Sequence, residues 1–440
     1  MPNHSAAAFV RWFRSATPYI HAFRGRTFVI AFGGEVVTDG KFTGLAHDLS
    51  LLASLGVRLV LVHGARPQID AALAERGLGS VYHQGVRITD EAALQCVKQV
   101  NGGLRVEIEA LLSMGLPNSP MANAAIRVSS GNFVIARPRG VVAGVDMQYS
   151  GEVRRVHVEA IRARLDGSDV VLLSPLGYSP TGEVFNLLME DVAASVATAL
   201  GAEKLIFLGE ESGVTDRRGR LLRELTVSDA EARLASPLGL GEDALRYLPQ
   251  AARACRGPVA RAHLISHRID GALLLELFTH DGVGSMVARD PLEIIRPADI
   301  EDVGGLLQVI EPMEAEGILV RRSRERLEQE IDRFVVLEHD ARIAGCAALY
   351  PFAGSDAAEL ACVAVDPAYR NSGAGDRLLR HMENRARGRG IARLFVLTTQ
   401  AAHWFVERGF APIEVGRLPA EKQALYNYQR RSKALVKILG

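Results

Sequence analysis

Short apolar runs alternate with amphipathic segments from residue 26 onwards, and this alternation limits the possible folds more than any other feature of the sequence. The apolar runs are continuous, which is typical of strands buried on both faces, whereas the segments between them have the spacing of amphipathic helices. The runs are TFVIAF (27–32), VRLVLVHG (57–64), FVIARP (133–138), DVVLLSPLG (169–177) and KLIFLG (204–209). The pattern predicts an α/β domain with a mostly parallel sheet that helices cover.

A charged segment with two prolines, MVARDPLEIIRPA (286–298), interrupts this pattern. A chain of 440 residues is longer than one hydrophobic core usually supports, so two or three domains are expected. We therefore place a domain boundary near residue 290. The prediction is an N-terminal helix in residues 1–25, an α/β domain in residues 26–288 and a second α/β domain in residues 293–440.

The charge balance argues against two classes of binding partner. Lysine and arginine total 51, aspartate and glutamate also total 51, and no long block of one sign occurs, so neither nucleic acid nor an anionic membrane is expected as a partner. No stretch is long and apolar enough to cross a bilayer, and no cleaved leader is recognisable, so a cytoplasmic protein that binds small molecules is predicted. Widely spaced cysteines without metal-ligand spacing predict free thiols and no metal site; they are Cys96, Cys255, Cys346 and Cys362.

The second domain contains a strand, a glycine-bearing turn and a helix in direct succession, within ELACVAVDPAYRNSGAGDRLLRHM (359–382). Apolar residues after Gly375 recur at helical spacing, so the helix is predicted to begin just after that glycine. Gly373 and Gly375 permit unusual backbone angles and a close ligand, and Arg370 adds a full positive charge to the free amides of the helix start. The turn is predicted to bind a pyrophosphate; the alternative is a purely structural turn.

Arg370, Gly373 and Gly375 form an R-x-x-G-x-G pattern between the strand LACVAVDP and the later segment AHWFVERGF. This order resembles the GCN5-related N-acetyltransferase (GNAT) superfamily, and the resemblance extends over residues 293–440. It implies acetyl-coenzyme A as co-substrate, with the loop amides on its pyrophosphate. The strand residues implied to pair through their backbone with the pantetheine arm are Cys362, Val363 and Val365.

Acetyl transfer to an amine requires a base, because an ammonium group has no lone pair with which to attack. The GNAT resemblance implies this role for Glu359, acting through water; the alternative is a solvated carboxylate at a strand end. Many members of the superfamily protonate the leaving thiolate with a tyrosine, but Phe405 stands at the matching position and cannot donate. Thr398 or its neighbour Thr399 is the predicted substitute. We expect direct attack on the thioester, with the Cys362 thiol only lining the pocket.

Two separate Arg-Arg-Ser clusters are predicted to bind the acceptor. One lies in GILVRRSRE (317–325), in a helical region, and the other in YQRRSKALV (428–436), in the last strand. Arg322 from the first cluster and Arg430 with Ser432 from the second suit the carboxylates of an acidic amino acid, since guanidinium groups bind carboxylates in a bidentate manner. Solvated arginines, or arginines on the phosphates of the coenzyme, are the alternative.

Four segments of the first domain provide a second resemblance: VIAFGG, LVHGARPQI, VFNLLMEDVA and RYLPQAARA. They resemble the acetylglutamate kinase branch of the amino-acid kinase fold. A working kinase of that branch carries lysines where this chain has Ala31 and Gln250, a glycine-rich turn where it has Arg66, and an aspartate where it has Glu190. Since phosphoryl transfer depends on positive charge around the moving group, the domain is predicted to be catalytically silent.

A retained binding role is predicted for the silent domain. The segment HLISHRIDGALLLELFTHDGVGSMV (263–287) resembles the arginine-binding region of arginine-inhibited acetylglutamate kinases. The resemblance implies that Glu276 binds a guanidinium and that the turn at Gly282 and Gly284 holds the α-carboxylate of L-arginine.

The N-terminal helix carries Tyr19 and Phe23 four residues apart. This helix resembles the mobile helix that packs beside the arginine site of those kinases and joins their subunits into rings, which implies self-association, as a hexamer by family resemblance. Simple packing of two aromatic rings on one helix face is the alternative.

An amino-acid kinase-like domain followed by a GNAT domain resembles the bacterial N-acetylglutamate synthase family. The resemblance implies formation of N-acetyl-L-glutamate and coenzyme A from acetyl-coenzyme A and L-glutamate, the first step of arginine biosynthesis, with feedback inhibition by L-arginine at the first domain. Three alternatives remain open: a bifunctional enzyme that also phosphorylates the product, an arginine-responsive binding protein with an inactive acetyltransferase half, and an acetyltransferase that acts on a different amine.

Overall fold

The chain divides into two compact units, residues 1–290 and residues 291–440. The computed structural model describes residues 6–279, 282–339, 342–370, 373–424, 426 and 430–439. Each unit has its own buried apolar core. The division lies within the charged, proline-containing segment 286–298.

The first unit alternates strands and helices along much of its length. Its helices are α1 (Ala6–Phe23), α2 (Glu35–Thr38), α3 (Phe42–Ser54), α4 (Arg66–Glu75), α5 (Glu91–Leu112), α6 (Val158–Asp166), α7 (Met189–Leu200), α8 (Val227–Ala235), α9 (Glu242–Arg256) and α10 (Ala272–Phe278). Its strands are β1 (Thr27–Phe32), β2 (Arg58–His63), β3 (Tyr82–His83), β4 (Val86–Arg87), β5 (Arg127–Ser129), β6 (Val134–Pro138), β7 (Val141–Val142), β8 (Val145–Asp146), β9 (Gly151–Val156), β10 (Asp169–Leu173), β11 (Leu176–Tyr178), β12 (Val184–Asn186), β13 (Lys204–Gly209), β14 (Glu224–Thr226), β15 (Arg261–Ser266) and β16 (Ser285–Ala288).

An eight-stranded sheet forms the centre of the first unit, in the order β14-β16-β15-β13-β1-β2-β10-β5. Neighbouring strands are parallel except β15 with β16, so the prediction of a mostly parallel sheet is confirmed. Strands β1 and β13 are buried almost throughout, because separate apolar clusters cover the two faces of the sheet. This double coverage is why their sequences are continuous apolar runs.

The run FVIARP does not belong to this central sheet, to which the alternation of the sequence assigns it. Strand β6 lies in a separate four-stranded sheet, in the order β12-β11-β6-β9. A β-carbon at Gly177 in β11 would lie 2.4 Å from the side chain of Ala136 in β6, so the two strands pack closely. An apolar run of five or six residues identifies a strand but not the sheet that it joins.

The second unit is a single mixed sheet with helices. Its helices are α11 (Val303–Ala315), α12 (Arg324–Gln329), α13 (Ala374–Arg387), α14 (Ala402–Val406) and α15 (Ala420–Ala424). Its strands are β17 (Glu293–Pro297), β18 (Phe334–His339), β19 (Arg342–Pro351), β20 (Ala357–Val365), β21 (Arg393–Thr398), β22 (Ala411–Ile413) and β23 (Lys433–Ile438). Their order in the sheet is β17-β18-β19-β20-β21-β23-β22, with β20 at the centre.

Only β20 and β21 are parallel neighbours in this sheet, and α13 connects them. A parallel connection requires such a crossover, since the chain must return to the same end of the sheet. The buried face of α13 contains the apolar residues that the helical spacing selects, namely Leu378, Leu379, Met382 and Ala386. They pack against the sheet and fix the start of α13 beside the end of β20.

Within the described ranges, no helix has both the length and the apolar character needed to cross a membrane. The same part of the chain contains no group of three or more His, Cys, Asp or Glu side chains arranged to hold a metal ion. All four cysteines are buried free thiols.

Candidate functional site

The central strands of the second unit separate and leave a cleft. Strand β20 pairs with β21 only from Ala357 to Glu359, whose partner is Phe395. Beyond Glu359, β20 continues to Val365 with β19 as its only strand partner among the described residues. One edge of β20 therefore offers backbone N–H and C=O groups, with which an extended ligand that carries its own amides can pair.

A β-bulge at Cys362 changes the face of the sheet that each β20 side chain occupies. The register with β19 shifts in this region, and Cys362 has a φ of 52°, which few residues other than glycine adopt. Consequently Leu360 belongs to the core on one face and Cys362 to the core on the other, although regular alternation would place them together. Contrary to expectation, the Cys362 thiol is thus absent from the cleft lining, which Val363 joins instead.

A cavity of about 700 Å³ occupies the cleft, within the size range of small-molecule sites. Five of the six residues predicted to bind coenzyme A line it: Val363, Val365, Arg370, Gly373 and Gly375. Sequence reasoning missed Trp404 and Arg408, which line the same cavity. The Arg408 guanidinium lies 4.0 Å from the centre of the Trp404 ring, so a cation and an aromatic wall flank this cavity together. An Arg spaced four residues after a Trp, in HWFVER, was the available signal.

The start of α13 has the character of an anion site. Gly373 precedes the helix with a φ of 81°, as a glycine permits, and α13 begins at Ala374. The helix thus begins one residue before Gly375, not just after it as predicted. Gly375 has ordinary helical geometry and is needed for space, because a β-carbon there would lie 3.1 Å from the Trp404 ring. Unpaired amides of the first turn, with Arg370 beside them, suit a phosphate.

Glu359 lies at the point where β20 and β21 separate. Its Oε2 atom lies 2.6 Å from Nζ of Lys422 in α15, and its side chain is 12% exposed. Tyr350 lies directly opposite in β19, so the two side chains share one face of the sheet. No sequence signal connects Lys422 with Glu359, since the ion pair depends on how the distant C-terminal segment returns to the sheet.

The two threonines at the end of β21 have different environments. Thr398 Oγ1 accepts a hydrogen bond from the Ala401 backbone N–H at 2.9 Å, so its own proton remains available for donation. Thr399 Oγ1 is buried and has no hydrogen-bond partner in the described part of the chain. Phe405 is buried against the rings of Trp404 and Phe410, as an apolar residue at that position should be.

The two arginine clusters meet at one loop, although neither lies in the element that the sequence predicts. Arg322 lies in the loop before α12, and Arg430 lies just before β23, not within a strand. Arg430 Nη2 donates to the carbonyls of residues 317 and 318, at 2.9 Å each. Ser432 precedes the β23 residue that pairs with Thr398. The clusters and the end of β21 therefore lie in one region of the second unit.

The kinase-like region of the first unit contains a small cavity of about 100 Å³ between the two glycine turns that follow β1 and β2. Among the described residues, its charged lining consists of Glu35, Arg66, Arg87, Glu190 and Arg246, without a lysine. Burial raises the pKa of Glu190. Ala31 is fully buried in β1, and the Gln250 amide oxygen is buried without a partner among the residues that the structure describes.

Glu276 is the centre of a buried hydrogen-bonded group in the first unit. Its Oε1 accepts from His263 Nδ1 at 2.7 Å, and its Oε2 accepts from the amides of Val283 and Gly284 at 2.7 and 2.9 Å. His263 Nε2 faces Lys204 Nζ at 3.2 Å. Burial alone would raise the pKa of Glu276, but the hydrogen bonds from His263 and the two amides lower it to about 2.

The sequence implies that the turn at Gly282 and Gly284 holds the α-carboxylate of a ligand. In the structure, groups of the chain itself already bind to this turn. The Gly284 amide already donates to Glu276, so it would have to exchange that bond to hold an α-carboxylate. Gly282 has a φ of 57°, and its carbonyl accepts from Arg223 at 3.0 Å. Lys204 and His263 are the residues that sequence reasoning missed; a polar residue in an otherwise apolar buried strand was the available signal.

Helix α1 packs against α10, the helix that carries Glu276. The rings of Tyr19 and Phe23 lie 6.1 Å apart. Phe23 is buried beside Phe28 and Phe278, and Lys204 Nζ lies 5.2 Å from the centre of its ring.

Comparison with known proteins identifies both units. The model of the amino acid kinase family matches residues 26–266, and that of the acetyltransferase (GNAT) family matches residues 306–410. Amino-acid acetyltransferases from Pseudomonas fluorescens (strain Pf0-1) and Pseudomonas putida are 56% and 55% identical, each over 98% of this chain and 99% of their own length.

Solved structures of N-acetylglutamate synthase from Neisseria gonorrhoeae are similar over 98% of this chain and 99% of theirs, at 40% identity. The structure complexed with coenzyme A and L-arginine has a TM-score of 0.89. The structure complexed with coenzyme A and N-acetyl-glutamate has a TM-score of 0.63.

An amino-acid kinase domain joined to a GNAT domain defines the chain as an acyltransferase, with acetyl-coenzyme A as co-substrate. More specifically, the chain belongs to the amino-acid acetyltransferase family, which includes N-acetylglutamate synthase. The predicted combination of folds and the predicted acetyltransferase activity are confirmed.

Proposed function

We propose that the chain makes N-acetyl-L-glutamate and coenzyme A from acetyl-coenzyme A and L-glutamate, as the first step of arginine biosynthesis, and that L-arginine inhibits it at the first unit. The cleft of the second unit supports the use of the coenzyme, and the meeting of two arginine clusters supports an acidic acceptor. The ligands of the gonococcal enzymes agree with both.

The environment of Arg322 is the observation that most strongly supports an acidic acceptor. Its half-buried guanidinium donates to the Val320 carbonyl at 3.0 Å, and in the described ranges no carboxylate forms an ion pair with it. A cation that is partly removed from water without a counter-ion is unfavourable, so a substrate carboxylate is the natural partner. Arg430, which contacts the same loop, suits a second carboxylate. L-Glutamate supplies two.

The coenzyme would be held by two parts of the cleft. The backbone of Cys362, Val363 and Val365 pairs with the pantetheine arm along the open edge of β20, and the bulge at Cys362 does not remove that edge. The start of α13, with Gly373 and Arg370, binds the pyrophosphate.

Glu359 then accepts, through a water molecule, a proton from the ammonium group of glutamate. The amine attacks the thioester carbonyl directly, the C–N bond forms, the C–S bond breaks, and the electron pair leaves on the coenzyme sulfur. Thr398 donates a proton to that sulfur, because its oxygen is held by the Ala401 amide while its proton is available. The attacking nitrogen loses its second proton as the amide forms, and that proton returns to Thr398. Phe405 has no proton to give.

We propose that residues 26–288, which follow a helix in residues 1–25, form a catalytically silent regulatory domain, and that residues 293–440 perform acetyl transfer. Glu276 would bind the guanidinium of L-arginine, with Gly282 and Gly284 in the adjoining turn. Tyr19 and Phe23 belong to a helix that packs on α10, so self-association through that helix, as a hexamer, would reach the arginine site. The family implies a cytoplasmic location.

The test is an assay of coenzyme A release with each common amino acid as acceptor, with and without L-arginine. We expect glutamate to be the preferred acceptor and L-arginine to lower the rate. Glu276→Ala, with Glu276→Gln as the conservative variant, should retain the basal rate and lose the response to L-arginine. A different preferred acceptor would contradict the assigned substrate, and full inhibition of both variants would contradict the assigned regulatory site.

A further inference from the structure

A lysine from the C-terminal segment contacts the carboxylate of Glu359. Nζ of Lys422 lies 2.6 Å from Oε2 of Glu359, and the two side chains are 21% and 12% exposed, so water reaches little of either. No other residue in the described ranges forms an ion pair or a hydrogen bond with this carboxylate side chain. Since the ammonium lies nearest to Oε2, Oε1 is the oxygen that remains for another partner.

The backbone that carries this lysine is held by contacts of its own. Leu418, four residues earlier, is buried against Ala357 of β20 and against Phe395, which lies opposite the proposed base in β21. Nε2 of Gln423 donates to the carbonyls of Gly416 and Leu418, at 2.8 and 2.7 Å. The segment around α15 is therefore fixed to the same two strands that carry the base, independently of the ion pair.

The direction of the Glu359 carboxylate matters for the proposed chemistry. A general base must lie within hydrogen-bond reach of the proton that it takes, or of the single water molecule that relays it. A glutamate side chain has several rotatable bonds, and its position is not set by its backbone alone. A contact that fixes one carboxylate oxygen removes most of this freedom and leaves the other oxygen in a defined direction.

We infer that Lys422 is a positioning residue, which holds Oε2 of Glu359 and so directs Oε1 towards the water between the base and the acceptor. The inference rests on the proposed function, in which Glu359 is that base. The contact has a second effect. Because the lysine already neutralises the carboxylate, the ammonium form of the acceptor gains less from pairing with it, and that form cannot attack. Both effects act on the chemical step and not on binding of the coenzyme.

The test begins with Lys422→Met in the full-length protein, because methionine has a similar length but no charge. Displacement of a reacting group by about 1 Å costs roughly a hundred-fold in rate, so kcat should fall about ten-fold to a hundred-fold. KM for glutamate should change much less, since Arg322 and Arg430 are the proposed carboxylate-binding groups. Affinity for acetyl-coenzyme A should stay the same, because Lys422 is not among the described residues that line the 700 Å³ cavity. Lys422→Arg keeps a cation for Glu359 and should retain most of kcat.

Lys437→Met is the matched control. Lys437 also pairs with a buried carboxylate of the second unit, Glu383, at 2.6 Å, and these side chains are 23% and 9% exposed. Loss of this pair should lower the thermal unfolding midpoint about as much as Lys422→Met does and leave kcat nearly unchanged. If both variants lost kcat to the same extent, the effect would belong to the stability of the fold and the inference would be overturned.

A double-mutant cycle shows whether Lys422 acts through Glu359. In a Glu359→Gln background, Lys422→Met should lower the remaining kcat little further, because the carboxylate that it positions has gone. Losses that multiply in full would show that the lysine acts elsewhere and would overturn the inference. If Lys422→Met alone left kcat unchanged, only the inference would fail. If Glu359→Gln left kcat unchanged, the assigned base would be wrong and the inference would fall with it.

Discussion

Two buried histidines of the first unit are held in their neutral form. Burial lowers the pKa of His63 to about 4, against an ordinary value of 6.5, and its ring contacts the Gly64 carbonyl and the Ser174 hydroxyl. Burial and the nearby Lys204 lower the pKa of His263 to about 4. Between about pH 4 and pH 6.5, each of these histidines is protonated in the unfolded chain and neutral in the folded chain. The free energy of unfolding must therefore fall as the pH falls.

We predict that the free energy of unfolding of the first unit decreases from about pH 6.5 to about pH 4, by roughly 1.4 kcal/mol per pH unit for each such histidine. His63→Gln should reduce this slope, since glutamine does not titrate. Denaturant unfolding at several pH values measures it. His21→Gln, at an exposed position on α1, is the control and should leave the slope unchanged. An undiminished slope in His63→Gln would contradict the assignment.

Glu359 should be essential for the chemical step but not for binding of the coenzyme. Glu359→Gln removes the proposed base, and the loss of a positioned general base typically slows catalysis by about 10²- to 10⁴-fold. We therefore expect kcat to fall by at least about a hundred-fold at unchanged KM for acetyl-coenzyme A, as measured by coenzyme A release.

Glu383→Gln is a closely matched control for this variant. Glu383 is also a buried carboxylate of the second unit that pairs with a lysine, Lys437, at 2.6 Å, but it belongs to α13 and not to the point where β20 and β21 separate. Its substitution should affect stability and leave kcat nearly unchanged. Equal losses of kcat in the two variants would show that Glu359 acts only by holding the fold.

At the scale of elements, the start of α13 depends on two glycines for different reasons. Gly375→Ala would place a β-carbon 3.1 Å from the Trp404 ring. Overpacking of this kind costs about 1–3 kcal/mol, so KM for acetyl-coenzyme A should rise roughly ten-fold as Trp404 or the helix shifts. Gly388→Ala, at the other end of α13 with an ordinary φ of −61° and only ordinary contacts, should bind the coenzyme normally. Normal affinity in Gly375→Ala would show that Trp404 adjusts without effect on the cavity.

The features that could be predicted are those that depend on residues close together in the sequence. The continuous apolar strands, the buried face of α13 and the two folds follow from periodicity and motif order. The bulge that turns Cys362 away from the cleft could not be predicted, because it arises from register with β19 rather than from the sequence of β20. The ion pair of Glu359 with Lys422 and the use of the Gly284 amide by Glu276 depend on distant segments in the same way.

At the scale of the whole molecule, the first unit should lack kinase activity. Loss of one preorganised charge typically costs about 10²- to 10³-fold in rate, and both lysine positions are neutral here. We expect no ADP above background when the protein is incubated with ATP and N-acetyl-L-glutamate. The same preparation must release coenzyme A in the acetyltransferase assay, so that inactive protein is excluded; robust ADP formation would establish the bifunctional alternative.

The division into two units predicts that catalysis and regulation can be separated. Each unit has its own core, so residues 291–440 produced alone should fold and transfer acetyl groups at a basal rate. That fragment should not respond to L-arginine, because the arginine site that we propose at Glu276 belongs to the other unit. Arginine inhibition of the isolated fragment would place the regulatory site in the acetyltransferase itself.

Because β20 and β21 separate, the bound acyl donor also has a structural role. A coenzyme paired along the open edge of β20 substitutes for a missing strand, so the sheet is complete only while the donor is in place. The product coenzyme A must then dissociate from this edge before the next catalytic cycle. We therefore expect release of coenzyme A to limit the turnover rate. Tighter pairing of coenzyme A with the edge of β20 would lower that rate.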